Sequence, residues 1–311
     1  MLCTKCGTHP AVYLRRYTHQ RLCESCLLKT TVQRVQRTIN RLKMFREDDR
    51  IGVAISGGKD SAVLLHVLWQ IEKKYPQAEL VPFTIDEGIK GYRDEALLAA
   101  RRLVRRLNLD LHVASFKKLF GLTLDMIIRT RRQNGLGACS YCGVLRRKAL
   151  NDVASDLGLD VIATGHNLND EAQTIIMNVV RGDARRIART HRLRSHSVAG
   201  FVPRVKPLTE VTERDIVAYA YFAQLPYHDI PCPYAGEALR NDIRSFLNRM
   251  EYRRPGTLLA VLRSGEIISE ALEHTLPRSR ISICEQCGFP TTGRVCKTCE
   301  IIGRLQAGEQ S

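Results

Sequence analysis

Apolar and polar positions alternate along the chain in a recognisable order. Arg50-Ile-Gly-Val-Ala-Ile-Ser56 is a short apolar run ending in glycine, which predicts a buried strand. Asp60–Tyr75 then carries Ala62, Leu65, Leu68 and Trp69 at helical spacing and is followed by Pro76, so it predicts a helix. Glu79–Ile85 and Leu109–Ala114 are further strand candidates. Between them Leu97, Ala100, Leu103, Val104 and Leu107 mark a helix over Arg93–Leu107. Helices are predicted over Leu119–Arg132 and Val144–Leu157, a strand over Asp160–Thr164 and a helix from Asn169 to Val180. Gly182–Lys206 is polar, basic and weakly periodic, and reads as a substrate loop. It ends in a candidate fifth strand, Phe201–Lys206. Thr212-Glu-Arg-Asp215 is a capping box in its wider form, opening a helix to Phe222; helical stretches follow at Glu237–Glu251 and Pro255–Leu262. Strands alternating with helices predict an α/β fold with a doubly wound, mostly parallel sheet.

The cysteines divide the chain further. Cys3, Cys6, Cys23 and Cys26 form two Cys-x2-Cys knuckles, and Cys284, Cys287, Cys296 and Cys299 form two more. Four thiolates in paired knuckles are the donor set of a tetrahedral structural zinc. Two Zn²⁺ sites are therefore expected, in small ribbons that depend on metal for folding. The expected domains are an N-terminal zinc finger (1–30), a catalytic domain with a C-terminal helical part (31–278) and a C-terminal zinc ribbon (279–311). A basic helix, Thr30–Phe45, would lead out of the first module.

Three more cysteines remain. Cys139 and Cys142 form a mid-chain knuckle, and Cys232 stands alone in Ile230-Pro-Cys-Pro-Tyr234. Three thiolates leave an open position, which suits a catalytic zinc or an iron–sulfur cluster with one iron free of protein ligand. A redox dithiol, a persulfide pair of Cys139 and Cys232, or an ordinary buried thiol at Cys232 fit the spacing too. Eleven cysteines, with no secretory leader at Met1, argue against a disulfide framework and make the cytoplasm the expected compartment.

Charge adds a partner. The 311 residues carry a formal net charge of +16 and a pI near 9.6. Two four-thiolate zinc sites would trim this to roughly +12. The excess is spread along the chain, which predicts a broad face for a polyanion, nucleic acid before membrane. Only 6% of residues are aromatic, which argues against an extended base-stacking platform. The longest apolar stretch falls far short of the ~20 residues of a membrane span.

Ser56-Gly-Gly-Lys-Asp-Ser61 joins the first strand to its helix, where backbone N–H groups and a helix N-terminus meet an anion. It is not a Walker A loop, because Gly52-x4-Gly57 is followed by Gly58 and not lysine. The segment resembles the PP-loop signature of the N-type ATP pyrophosphatases. Thr84-Ile-Asp-Glu-Gly-Ile89, Cys139-Ser-Tyr-Cys-Gly143, Ala163-Thr-Gly-His-Asn167 with Asp170-Glu171, and the terminal ribbons extend the likeness to the tRNA 2-thiouridine synthetases. Gly143-Val-Leu-Arg-Arg-Lys148, Asn178-Val-Val-Arg-Gly-Asp183 and Ala218-Tyr-Ala-Tyr-Phe222 look more like the branch acting on the wobble uridine than the T-loop branch. The T-loop branch can carry lysine where this chain has Arg146.

The resemblance implies ATP-dependent adenylation of a uridine C2 oxygen, then sulfur insertion. It implies ATP contacts at Ala54, Ser56, Gly57, Gly58, Lys59, Asp60, Ser61, Ile85, Gly165 and Asp170, with Mg²⁺ on the phosphates. Cys139, Cys232, Asp170 and Lys59 are the candidate catalytic residues. Cys139, Cys142 and Cys232 are candidate ligands of a 4Fe–4S cluster binding hydrosulfide, with persulfide chemistry as the second version. Arg131, Arg132, Arg146, Arg147, Arg181, Arg185, Arg186 and Arg189 are candidate tRNA phosphate contacts. The implied partners are tRNA and a sulfur donor, either sulfide or a ubiquitin-like thiocarboxylate protein, with no membrane and a homodimeric assembly. Two other classes fit part of the pattern: a PP-loop ligase for a small carbonyl substrate, which would not need Cys232, and a non-catalytic zinc-ribbon RNA-binding protein, which would not need Asp60.

Overall fold

The computed structural model describes residues 1–130, 137–189, 200–235, 238–276 and 281–308. Its centre is a five-stranded parallel sheet in the order β5-β4-β3-β6-β7. The strands are β3 (Arg50–Ala54), β4 (Glu79–Asp86), β5 (His112–Ser115), β6 (Val161–Ala163) and β7 (Arg204–Val205). The chain runs from β3 outward through β4 to β5, then returns to the other side of β3 for β6 and β7. Loops leaving β3 and β6 therefore diverge, and the crevice between them is where an open α/β sheet binds ligand.

Side chains alternate across the sheet as strand geometry requires. Ile51, Val53, Val161, Ala163 and Val205 face a core completed by α1 (Glu24–Arg41), α2 (Lys59–Glu72), α3 (Tyr92–Arg106) and α9 (Glu213–Phe222). Val81, Phe83, Ile85 and Ile162 face the opposite core, closed by α4 (Phe116–Phe120), α5 (Leu124–Thr130) and α6 (Ala138–Asp156). A third cluster joins α7 (Leu168–Val180) to α10 (Ala238–Arg253) and α11 (Thr257–Thr275). The short α8 (Ala184–Ile187) follows α7. No described helix is long and apolar enough to cross a membrane.

Several elements depart from the sequence reading. The expected Leu119–Arg132 helix is two helices, α4 and α5, because Gly121 ends the first at φ 74°. β7 is two residues long instead of six. α11 runs on from Leu262 to Thr275, with Gly265 packed against Ile175 of α7. α6 begins at Ala138 and not Val144, so Cys139 and Cys142 lie within its first two turns. The region read as a substrate loop contains α8, and residues 190–199 lie outside the described residues.

The terminal modules are small hairpins against helices. β1 (Tyr13–Arg15) pairs with β2 (Gln20–Leu22), and β8 (Ser282–Ile283) with β9 (Pro290–Thr291) beside α12 (Lys297–Gly308). α1 passes without a break through the expected boundary at residue 30. Arg15 fixes the first module to the central domain: its Nε lies 3.0 Å from Asp215 Oδ1, and its other nitrogens donate to Thr30 and Thr31, all buried. A buried charge requires this degree of pairing.

Candidate active site

The loop after β3 is built around its two serines and one glycine. Ser61 Oγ accepts from Ser56 N at 3.1 Å and donates to the Gly58 carbonyl at 2.9 Å. Ser56 Oγ accepts from Gly58 N at 3.2 Å. These bonds curl the loop over the N-terminus of α2, whose free N–H groups favour an anion. Gly57 has φ +91° and its Cα hydrogens lie against the Ala96 backbone of α3, so glycine is required there.

A cavity of about 240 Å³ opens beside this loop. Its walls include Ala54, Ser56, Asp60, Ser61, Ile85, Gly165 and Asp170, all expected at the nucleotide, and also Glu87, Arg146 and His166. Gly165 lies close to the α2 N-terminus: a Cβ there would be 3.0 Å from Ser61 N. Asn167 caps α7 through Asp170 N and donates to Asp60 Oδ1 at 2.7 Å, linking the two loops. Burial, and secondarily the nearby Asp60 carboxylate, pushes Asp170 up to about 6, against a hydrogen bond from Asn167 N that pulls it down. Two carboxyls with one elevated pKa, facing a phosphate loop, fit a Mg²⁺ that would relieve their repulsion.

Lys59 lies outside the cavity wall. Its Nζ bonds Asp60 and Glu213 at 3.1 Å each; burial lowers its pKa, and the two carboxylates more than reverse that. Apo, Lys59 is therefore a paired cation that must turn to meet a phosphate.

The cysteine site adjoins the cavity. Cys139 Sγ donates to the Tyr234 carbonyl at 3.3 Å. Cys142 and Cys232 belong to one apolar cluster with Ile89, Leu124, Tyr92 and Tyr234. Tyr234 O–H donates to Asp125 at 2.8 Å, fixing the Cys232 loop to α5. Burial pushes Cys142 up to about 11, partly offset by Arg146, and burial raises Cys232 as well. Such thiols are poor free nucleophiles but become thiolates when a metal binds.

The two four-cysteine sets converge, each with all ligand sulfurs within 4.8 Å of one another. Cys6 and Cys23 sulfurs are 3.9 Å apart and those of Cys287 and Cys296 3.7 Å. The edge of a tetrahedron with Zn–S of 2.3 Å is about 3.8 Å, so both sets fit zinc. Cys139, Cys142 and Cys232 do not form so tight a group among the described residues, which suits a larger inorganic core better than one ion.

The arginines diverge. Arg147, Arg181, Arg185, Arg186 and Arg189 are exposed, and Arg186 pairs with Asp183. Arg131 and Arg132 lie outside the described residues. Arg146, although half exposed, borders the cavity and pairs with Glu87 at 2.8 Å. Sequence reasoning gave no role to Glu87, Arg93, His166 or Glu213. The available signals were positional: Glu87 falls inside the Thr84–Ile89 motif, His166 inside Ala163–Asn167 and Glu213 inside the Thr212–Asp215 capping box.

Fold and site together define a PP-loop protein, and residues 28–251 match the PP-loop domain model. Residues 2–28 match the N-terminal LIM domain of the 2-thiouridine synthetase TtuA. Cytoplasmic tRNA 2-thiolation protein 1 of Aspergillus niger is 37% identical over 97% of this chain and 88% of its own length. The protein of the same name from Xenopus laevis is 36% identical, covering 98% of this chain and 89% of its own. The structure of the U34-tRNA thiolase NcsA from Methanococcus maripaludis, solved with its 4Fe–4S cluster, superposes with a TM-score of 0.85. It is 32% identical and covers 98% of this chain and 96% of that one. The chain belongs to the PP-loop family of cytoplasmic tRNA 2-thiolation proteins.

Proposed function

We propose that this protein is an ATP-dependent tRNA thiolase that converts the C2 oxygen of the wobble uridine to sulfur in the cytoplasm. The observation that carries this is the adjacency of a phosphate-loop cavity and a three-cysteine site, sharing Arg146. The full-length likeness to the U34-tRNA thiolase NcsA supports the choice of base. A small-substrate ligase would leave the cysteine site without a purpose, and an RNA-binding module would leave the cavity without one.

ATP lies with its phosphates on Ser56–Ser61 and the α2 N-terminus, its adenine edge at Ile85, and its close approach allowed by Gly165. Asp60 and Asp170 would hold Mg²⁺, and Lys59 would turn from Glu213 to the phosphates. The uridine C2 oxygen attacks the α-phosphorus, and the bond to the bridging oxygen breaks, releasing pyrophosphate. The clamped phosphates supply the electrostatic stabilisation this step needs. Hydrosulfide then attacks C2, losing its proton, and AMP departs with the original oxygen; sulfur does not change oxidation state. Cys139, Cys142 and Cys232 would hold a 4Fe–4S cluster, which would supply the sulfur-handling chemistry of this second step. Burial raises the Cys232 pKa, which disfavours that thiol as the resolving partner in persulfide exchange, a step that needs an accessible thiolate.

Zn²⁺ at both four-cysteine sets, a homodimer, and sulfide or a ubiquitin-like thiocarboxylate protein as donor complete the reading. Arg147, Arg181, Arg185, Arg186 and Arg189 form the described part of the tRNA face; Arg131 and Arg132 are the remaining candidates. The test is iron, acid-labile sulfide and zinc per chain after anaerobic purification, beside Cys232→Ala. About four iron, four sulfide and two zinc, with iron lost in the variant, supports the reading. Two zinc and no iron after anaerobic reconstitution refutes the cluster-based mechanism.

A further inference from the structure

One buried acid in the cavity wall has no place in the chemistry above. Glu87 follows β4, and its side chain is only 5% exposed. Two guanidiniums hold it: Arg93 Nε is 3.1 Å from Oε2, and Arg146 NH2 is 2.8 Å from Oε1. Each arginine continues in a different direction. Arg93 donates to the Ser56 carbonyl of the phosphate loop at 2.7 Å and to Thr84 Oγ1 at 2.9 Å. Arg146 donates to Cys142 Sγ at 3.3 Å. A series of hydrogen bonds and ion-pair contacts thus runs from the phosphate loop through Glu87 to the cysteine site.

The two ends differ in freedom. Arg93 is buried: its two terminal nitrogens donate to Ser56 and Thr84, and its Nε meets Glu87 Oε2 as an ion-pair contact without an aligned hydrogen bond. Arg146 is 48% exposed and borders the cavity, so a long flexible side chain is held at the opening by one carboxylate and one sulfur. Without Glu87 the guanidinium has solvent-facing alternatives, and arginine carries substantial rotamer entropy.

We propose that Glu87 is a positioning residue, which holds the Arg146 guanidinium at the seam between the nucleotide cavity and Cys142. The cation placed there faces the phosphate of the adenylated base and the incoming sulfur together. It stabilises the negative charge that develops on the departing AMP oxygen in the second step. Glu87 itself touches neither reactant. This rests on the thiolase reading for its consequence, but the placement of Arg146 can be tested without turnover.

Glu87→Gln keeps the shape and removes the charge. In cluster-free protein, the alkylation rate of Cys142 is followed by peptide mass against Glu87→Gln, Arg146→Ala and the double variant. If Glu87 positions Arg146, losing it withdraws a cation from Cys142, and alkylation slows several-fold. Arg146→Ala slows it similarly, and the double variant is no slower than either. If Glu87 acted only as a nearby negative charge, its loss would speed alkylation, which overturns the proposal. Mg-ATP affinity of the cluster-free variant is expected within twofold of wild type; a tenfold loss would make Glu87 a support for the phosphate loop instead. With loaded enzyme, kcat for thiolation is expected to fall 10–100-fold at unchanged KM for ATP, with no further loss from Glu87→Gln on the Arg146→Ala background. Additive losses overturn the proposal. Glu87→Asp serves if the glutamine variant does not fold: the charge stays, the reach to both guanidiniums is lost, and the same non-additivity is expected. A wild-type protein that fails to thiolate tRNA counts against the proposed function, while the alkylation result still judges Glu87.

Discussion

Gly57→Ala places a methyl group where the phosphate loop has no room for one. Two separate costs arise. The residue has φ +91°, which L-residues rarely adopt, at about 1–2 kcal/mol. The new Cβ would also lie 2.8 Å from the Ala96 carbonyl carbon and nearer still to its oxygen. That neighbour is backbone in the middle of α3, not a side chain that can swing away, so overpacking adds about 1–3 kcal/mol. The loop is held from its other side too, since the Gly57 carbonyl accepts from His228 N at 2.8 Å. The sum, about 2–5 kcal/mol, corresponds to a fall in Tm of roughly 3–8 °C for a chain of this size. Relief by displacement would instead move Ser56 and Gly58, so ATP affinity should fall with stability. Gly58→Ala is the control for the stability cost, because a Cβ there meets only Ser56 Oγ, at 3.5 Å. Thermal unfolding and Mg-ATP titration of the three proteins test the reasoning. A Gly57→Ala protein with wild-type Tm and ATP affinity would refute it.

Arg15→Ala strands the fully buried Asp215 without its cation and should cost about 3–5 kcal/mol in denaturant unfolding; a loss below 1 kcal/mol would show that the N-terminal module is not fixed as described. His66 is held down to about 4, first by burial and then by Arg106 and Lys73. Its contribution is present above pH 6.5 and is lost as pH falls toward 4, by up to about 3 kcal/mol. Urea unfolding at pH 7.5 and 4.5 should show a smaller difference for His66→Gln than for wild type; equal differences would contradict this. Asp170 has its pKa raised to about 6, so its carboxylate is progressively lost below that pH. Mg-ATP turnover should fall with it, and Asp170→Asn, which keeps the α7 cap, should lose at least 100-fold in rate with Tm little changed; retained turnover would remove Asp170 from the metal site.

Much of this architecture is written locally. β3 and α2 are legible because an apolar run meets Ser-Gly-Gly and then a helical stripe, and the order of β and α segments carries the parallel sheet. Both four-cysteine sets are legible because knuckle spacing reflects metal geometry. The failures have local causes too. The break at Gly121 hides inside an apolar stretch that reads as one helix. Gly265 interrupts the α11 pattern, yet it sits there because Ile175 of α7 packs against it. Cys139 and Cys142 lie on a helix that starts directly after Gly137, whereas the hydrophobic pattern becomes helical only from Val144. The Arg93–Glu87–Arg146 chain is beyond sequence reasoning, since its members come from three segments and each alone reads as a solvated charge.

The central claim is that ATP and sulfur meet at one tRNA base. The direct measurement is nucleoside analysis of tRNA incubated anaerobically with cluster-reconstituted protein, Mg-ATP and sulfide. The expected result is 2-thiouridine at the wobble position, formed with one AMP released per sulfur and absent with Cys232→Ala. Thiolation confined to the T-loop uridine, or AMP release with no sulfur in the tRNA, would contradict the account.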